Sequence, residues 1–290
     1  RVDLMLDFFP NADHAGIYAA QASGAFVRHG LDVRIHAPSD PSVPLKLLNA
    51  GKADLAVSYE PEVLRARDKG LRVTAVAALV RTPLTSIVSL PRAGIRSPPD
   101  LRGKTVGTAG IDYQTAYLRA IEPGARARNV GFDLVPALLS GKVDAVLGAY
   151  WNYEAIQLRQ KGRGPRVIRM DQAGVPPYDE LVVAAGEETV RSRPDLVRRF
   201  LAALAEGTRG LARDRRAGVD ALLGANHDLD PSLQRASVAA TLPYFLPVSG
   251  RPYGWMDPAA WERFTTFMHG NRLLGISSPR GAFTNALLPR

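Results

Sequence analysis

Polar and apolar side chains alternate along Val2-Asp3-Leu4-Met5-Leu6-Asp7, the period of a strand with one buried face. A loop bearing Pro, Asn and Asp follows, and residues 15–27 then read as a helix that ends near Gly30. Residues 31–36 predict a second strand, 42–48 a helix and 54–58 a third strand, followed by a helix over 61–69 and a strand over 72–80. Strands alternating with helices at this spacing predict βαβ units and a mostly parallel sheet. A second series repeats the scheme, with strands over 104–107, 143–147 and 167–170 and helices over 113–121 and 154–161. Two further strand-like runs, 85–90 and 180–185, are expected to cross between lobes, and such crossings would allow hinge motion. Helical patterns over 193–212, 216–223, 231–242 and 258–273 are expected to pack back on the first lobe. The expected class is therefore α/β with two lobes. Residues 1–88 plus 184–290 make the first, and residues 89–183 the second.

One phrase occurs in both series. Leu47-Leu48-Asn49-Ala50-Gly51-Lys52-Ala53-Asp54-Leu55-Ala56-Val57 returns as Leu138-Leu139-Ser140-Gly141-Lys142-Val143-Asp144-Ala145-Val146-Leu147. Each copy reads as a helix end, a Gly-Lys turn, an Asp and a short buried strand. An aromatic and acidic cluster follows each strand, Tyr59-Glu60-Pro61-Glu62 in one and Tyr150-Trp151-Asn152-Tyr153-Glu154 in the other. Ligands of open α/β sheets bind beyond the carboxyl ends of strands. The expectation is two lobes facing each other across a ligand cleft.

Composition narrows the classes. At 290 residues, with 46% hydrophobic and 22% charged side chains, the chain can bury substantial cores. The 37 basic and 28 acidic residues leave +9, but no dense basic stripe with interleaved aromatics marks a nucleic-acid binder. Cysteine is absent, which removes disulfides, thiolate metal sites and a Cys nucleophile together. The five histidines, His14, His29, His36, His227 and His269, are scattered and form no metal-ligand spacing.

Four segments stand where a strand gives way to a loop or helix. In Asp7-Phe8-Phe9-Pro10-Asn11-Ala12-Asp13-His14, Phe8 offers a ring to stack on, while Asn11 and His14 offer donors and acceptors. Structural roles compete: Phe8 and Phe9 as core, His14 as a cap of the next helix. Tyr59 and Glu60 form the second group, where Glu60 and Glu62 would also complement a helix dipole. Gly107-Thr108-Ala109-Gly110 is third, a turn whose amides can face an anion, with Thr108 its polar side chain. Tyr178 and Asp179 follow the Pro176-Pro177 pair, and Tyr150, Asn152 and Glu154 complete the set. Aromatic faces, amides and carboxylates without a cation suit a small planar amine-bearing heterocycle better than a phosphate or sulfonate.

At these segments the chain resembles a known family. Its DFFPN-DHAGIY opening, KLLNAGKADLAVSYEPEV, ALLSGKVDAVLGAYWNYE and GVPPYDELVV are similar to the thiamine-pyrimidine-precursor family of ABC-transporter substrate-binding proteins, in order from about residue 2 to 185. The resemblance implies a type II periplasmic-binding-protein fold that captures an aminopyrimidine for a membrane permease. It also implies export to the periplasm or the outer face of the cell membrane, a monomer, and no cofactor. Relatives often carry Trp where Phe8 stands, and they include binders of flavin precursors and other aromatic compounds, so a receptor for riboflavin or another aromatic compound is the alternative. The same fold includes a eukaryotic synthase of the thiamine pyrimidine. Its cofactor lysine would fall on Ser58, its sacrificial histidine on about Glu62 and its cysteine-rich stretch near residues 174–180, so the residues of that chemistry are missing here. A paired-carboxylate enzyme is the rival from another class. It lacks an evident nucleophile, so the leading expectation is a binding protein whose acids orient a ligand.

Overall fold

The computed structural model describes residues 1–38, 43–131 and 133–289. The first series gives β1 (Val2–Met5), α1 (Ala15–Ala22), α2 (Ala25–Arg28), β2 (Val33–His36), α3 (Val43–Asn49), β3 (Leu55–Ser58), α4 (Glu60–Asp68) and β4 (Val73–Val80). The second gives β5 (Thr85–Ser89), β6 (Thr105–Thr108), α5 (Asp112–Ile121), β7 (Arg126–Asn129), α6 (Leu134–Leu139), β8 (Ala145–Tyr150), α7 (Glu154–Gln160) and β9 (Arg166–Arg169). The chain then runs through β10 (Leu181–Gly186), α8 (Glu187–Ser192), α9 (Pro194–Arg213), α10 (Arg215–Ala225), α11 (Pro231–Phe245) and α12 (Pro258–Gly270). Two compact units result, Arg1–Arg81 with Asp179–Glu262 and Ile276–Arg290, and Thr82–Tyr178 with Arg263–Gly275.

The first unit holds a sheet of order β2-β1-β3-β10-β4, the second a sheet of order β7-β6-β8-β5-β9. In each, three strands pair in parallel and one strand, β10 or β5, runs against both neighbours, so four of the five share a direction. Each expected crossing run is the reversed strand of its own sheet. The expected boundaries near 88 and 183 move to 81/82 and 178/179, ahead of both strands. Residues 263–275 also depart from the expected first-lobe tail. Phe264 and Phe267 join the rings of Tyr117 and Tyr178 in the second unit, and this aromatic packing carries the segment there.

The repeated phrase is a construction device. After α3, Gly51 takes φ 66° while Lys52 N–H reaches the Leu47 carbonyl at 2.9 Å; after α6, Gly141 takes φ 76° while Lys142 N–H reaches Ala137 at 3.0 Å. Both are glycine-terminated helix ends that satisfy the last carbonyls. Asp54 then accepts the Asp3 amide at 2.9 Å, and Asp144 accepts the Thr105 amide at 2.8 Å. Each Asp thus clamps the start of β3 or β8 to the strand beside it.

Other departures have local causes. The expected helix over 15–27 is two helices, because Gly24 adopts φ 73° between them. Ser42, the expected start of α3, lies outside the described residues. Strand β7 is exposed at all four positions, Arg126-Ala127-Arg128-Asn129, and so carries no alternation to read. Strand β4 lies at the margin of its sheet yet is wholly buried, because Ala75 N–H bonds the Ala282 carbonyl and Ala78 N–H that of Gly254. The C-terminal segments thereby cover an otherwise open strand edge.

Helix α9 packs its Leu196, Val197, Phe200, Leu201 and Leu204 face inward, and α1 lies against it. The two helices meet backbone to backbone: a Cβ on Gly207 would stand 2.4 Å from the Ala20 Cβ. Gly207→Ala is therefore expected to cost about 2 kcal/mol through overpacking. Gly210→Ala, where a Cβ meets open space, should instead gain about 0.8 kcal/mol of helix propensity. Chemical denaturation of the pair checks both signs, and equal effects would refute the close approach.

Candidate functional site

Asp7 follows β1 and is 5% exposed. His14 Nε2 lies 2.8 Å from its Oδ1, and the Tyr59 hydroxyl donates to its Oδ2 at 2.5 Å. Because His14 Nδ1 accepts the Asn11 amide at 3.2 Å, the ring proton on Nε2 is the one shared with Asp7. Burial alone would raise the Asp7 carboxyl, but the hydrogen bonds and charge of His14, and then Tyr59, overcome it and hold Asp7 below its ordinary value. Asn11 closes this loop as a cap, its Oδ1 accepting the Asp13 amide at 2.9 Å and its Nδ2 donating to the Phe9 carbonyl at 3.1 Å. His14 is the N-cap residue of α1 but makes no side-chain cap bond there; its ring instead closes a capping box on the 3-10 turn Ala12–His14, with both nitrogens engaged. Phe8 is half-buried and Phe9 exposed, their ring centroids 4.0 Å apart.

Glu60 opens α4 directly after Tyr59, with Pro61 fixing the helix start. Its side chain is fully buried. Oε2 accepts the Asp179 amide at 2.7 Å, while Oε1 is buried with no hydrogen-bond partner among the described residues. Asp179 precedes β10, and its Oδ2 accepts the indole N–H of Trp261 at 2.9 Å. Desolvation, followed by the negative charge of Asp179, pushes the Glu60 carboxyl well above its ordinary range. Asp179 is itself pushed up to about 7 by desolvation, against the pull of Trp261 and of the Arg81 charge. The pair can hold a proton near neutral pH, which makes one carboxyl both donor and acceptor.

In the second unit, Thr108 ends β6 and is 1% exposed. The next amide, Ala109 N–H, is taken by Gln114 Oε1 at 2.9 Å. The Gln114 amide lies over Gly148, where a Cβ would meet Nε2 at 2.5 Å and where φ is +109°, so glycine is required there. Tyr150 ends β8, and its amide donates to Glu154 Oε2 at 2.6 Å. Asn152, between them, is fully buried. Trp151 donates from its indole to the Pro83 carbonyl at 3.0 Å, with the Arg169 guanidinium 4.5 Å from its ring centroid. Tyr178 is 2% exposed, its ring 4.7 Å from Phe264 and 6.2 Å from Tyr117.

Glu154 is pushed up to about 7 by desolvation, opposed by the Tyr150 amide. The folded chain therefore binds this proton more tightly than the unfolded one. The stability it contributes is complete below the ordinary value of 4.5 and is lost as pH rises through about 7. Glu154→Gln should remove about 2 kcal/mol of the stability decline between about pH 5 and about pH 8. Denaturant titrations at both pH values test this, and an unchanged decline would place the titration elsewhere.

Within the first unit the structure brings Asp7, Asn11, His14 and Tyr59 into one network and Glu60 with Asp179 into another. Within the second it joins Tyr150 to Glu154, while Tyr178 sits among aromatic neighbours. Trp261, Arg81, Gln114 and Asp7 itself were not singled out from sequence. Trp261 lies 82 residues from its partner Asp179, and no local pattern announces that pairing. The excess positive charge gathers elsewhere, as in a groove of about 740 Å³ lined by Arg213, Arg215, Arg216 and Arg235. Among the described residues, no group of three or more His, Asp or Glu side chains is placed to hold a metal.

Comparisons with known proteins agree with this architecture. A family model described as NMT1/THI5 like matches residues 11–214. A formylaminopyrimidine-binding protein of Halalkalibacterium halodurans is 34% identical over 278 residues, covering 92% of this chain and 84% of that protein. The 4-amino-5-hydroxymethyl-2-methylpyrimidine phosphate synthase THI13 of Saccharomyces cerevisiae is 28% identical over 228 residues, covering 72% and 66%. Among solved structures, the alkanesulfonate-binding protein SsuA of Xanthomonas axonopodis pv. citri superposes with a TM-score of 0.76 at 17% identity, over 98% of this chain and 97% of that one. This last likeness is one of fold.

Proposed function

Since the chain belongs to the NMT1/THI5-like family, we propose that it is the substrate-binding component of an ABC importer, acting outside the cytoplasm and passing an aminopyrimidine related to thiamine precursors to a membrane permease. The observation that carries this reading is the buried Glu60 carboxyl, with one oxygen engaged and Oε1 unpartnered at the end of β3. An aminopyrimidine edge sets a ring-nitrogen acceptor beside an amino donor. A carboxyl that holds its proton meets that edge with one donor and one acceptor, and an ionised one meets the protonated ring equally well. Phe8 supplies a stacking face, and Asp179 shares the proton. Asn11 and His14 serve by fixing the loop and orienting Asp7 and Tyr59. The second unit carries its own proposed ligand residues, Thr108, Tyr150, Asn152 and Glu154, with Tyr178 held among the rings of Tyr117 and Phe264.

Capture rather than synthesis is favoured by the residues at the enzyme's positions. Where the resemblance puts a cofactor lysine, Ser58 ends β3 and is 2% exposed; where it puts a cysteine-rich stretch, the chain has no cysteine. The acids then orient a ligand and exchange no proton with a reacting bond.

Titration of intrinsic Trp fluorescence, backed by calorimetry, with a formyl- or hydroxymethyl-aminopyrimidine and with riboflavin tests the proposal. Saturable one-to-one binding of the aminopyrimidine without turnover is the expected result. Binding of riboflavin alone would overturn the ligand class, and product formation would overturn the binding role.

A further inference from the structure

Helix α11 has an unusual inward face. Gln234, Ser237 and Thr241 are all fully buried, and at 100° per residue they span an arc of about 60°. Leu233, Val238 and Phe245 flank this arc, so the polar side chains occupy the middle of the buried surface rather than its rim. Thr241 satisfies its hydroxyl on the Ser237 carbonyl at 2.8 Å. Among the described residues, Ser237 Oγ has no hydrogen-bond partner. A buried helical serine can usually turn its hydroxyl to the carbonyl one turn back, and this one does not. Native chains rarely leave such a group unmade without a use for it.

The topology says what this face overlooks. Helix α11 packs on the 3-10 turn Ala12–His14 and on β4. Just before it, Asn226 Nδ2 reaches the Pro10 carbonyl at 3.5 Å, and just after it the Leu246 carbonyl accepts from Arg81. Pro10 follows β1 and Arg81 follows β4, so the helix crosses one sheet edge from the end of β1 to the end of β4. Between these strands lie β3 and β10. At this edge β3 delivers Tyr59 and Glu60, and β10 receives the chain from Asp179, since Ser58 pairs with Val182 and Val80 with Leu181. Two buried and unpartnered oxygens, Glu60 Oε1 and Ser237 Oγ, therefore belong to the same edge of one unit.

We infer that Ser237, with Gln234 beside it on α11, is a specificity-determining position that binds the polar substituent of the ligand, a hydroxyl or carbonyl carried on the heterocycle. The inference rests on the function proposed above and extends it to the C-terminal helices, where the sequence motifs gave no site. Glu60 reads the aminopyrimidine edge, and the serine hydroxyl, free to donate or accept, reads what hangs from the ring.

The test compares a hydroxymethyl-aminopyrimidine with its methyl analogue, which lacks the hydroxyl, on wild type and on Ser237→Ala by calorimetry. Wild type should prefer the hydroxymethyl compound by about tenfold, and Ser237→Ala should abolish that preference while leaving the methyl analogue's affinity unchanged. Thermal unfolding without ligand separates binding from folding, because removal of an unpartnered buried hydroxyl should hold or raise the melting temperature. A variant that keeps the full preference, or that loses both ligands together with its stability, overturns the inference alone. A wild-type chain that binds neither compound overturns the proposed function and this subsite with it.

Discussion

Glu60→Ala is expected to weaken aminopyrimidine binding by about a hundredfold, because it deletes a charge-assisted pair of hydrogen bonds in a buried setting. The same change removes one member of a crowded acid pair. Asp179 should stay raised, since its own desolvation is what lifts it, while the Asp179 charge lifts Glu60. Two effects on folding oppose each other: the Asp179 amide loses its 2.7 Å acceptor, while the buried charge disappears. Glu60→Gln separates them. It keeps an oxygen for that amide and an N–H for the ligand's ring nitrogen, but it cannot titrate. Calorimetry across about pH 5 to about pH 8 should show a pH-dependent affinity in wild type and a flatter one in Glu60→Gln. Full affinity in Glu60→Ala would remove Glu60 from the site.

Trp261→Ala should be among the most destabilising single changes in the first unit, at about 4 kcal/mol. The ring is fully buried and packs tilted against Phe283, centroids 4.6 Å apart, so truncation opens a large cavity. Trp261→Phe keeps most of the volume and loses only the indole N–H, the donor 2.9 Å from Asp179 Oδ2. Its cost should be about 1–2 kcal/mol. Loss of a bond to the ionised form moves the Asp179 carboxyl further upward, so stability in Trp261→Phe should decline at higher pH than in wild type. Urea denaturation at several pH values reads both quantities. Equal costs for Phe and Ala would mean that the hydrogen bond, not the packing, is what Trp261 contributes.

Much of this architecture was legible because it is local. The alternation in residues 2–7, the Gly-Lys turns and the buried runs at Leu55 and Ala145 each encode an element within a few positions, and the two series display their own likeness. The ends of β3 and β8 were legible for the same reason, since a polar cluster after a buried strand is a local signal. What escaped was non-local or patternless. Strand β7 is solvent-facing on both sides, so no hydrophobic period marks it. Trp261 meets Asp179 only through the packing of a helix far along the chain, and Ser237 lies on another such helix. His14 shows the opposite limit: a structural residue and a ligand donor call for the same residue type at the same place, and the described hydrogen bonds assign both its nitrogens to the protein.

The paired clamps at Asp54 and Asp144 separate inheritance from innovation. Each fixes its strand at the amino end, through an amide of the neighbouring strand, while the residues proposed to bind the ligand begin at the carboxyl end four to six residues later. Register at each strand start is thereby held by residues apart from those proposed to meet the ligand. On the proposed function, Tyr59-Glu60 or Tyr150 to Glu154 could be altered for a new heterocycle without disturbing these two clamps. A designer wishing to retarget the chain has the same freedom, with the carboxyl ends as the programmable layer and the aspartates as the part to leave alone.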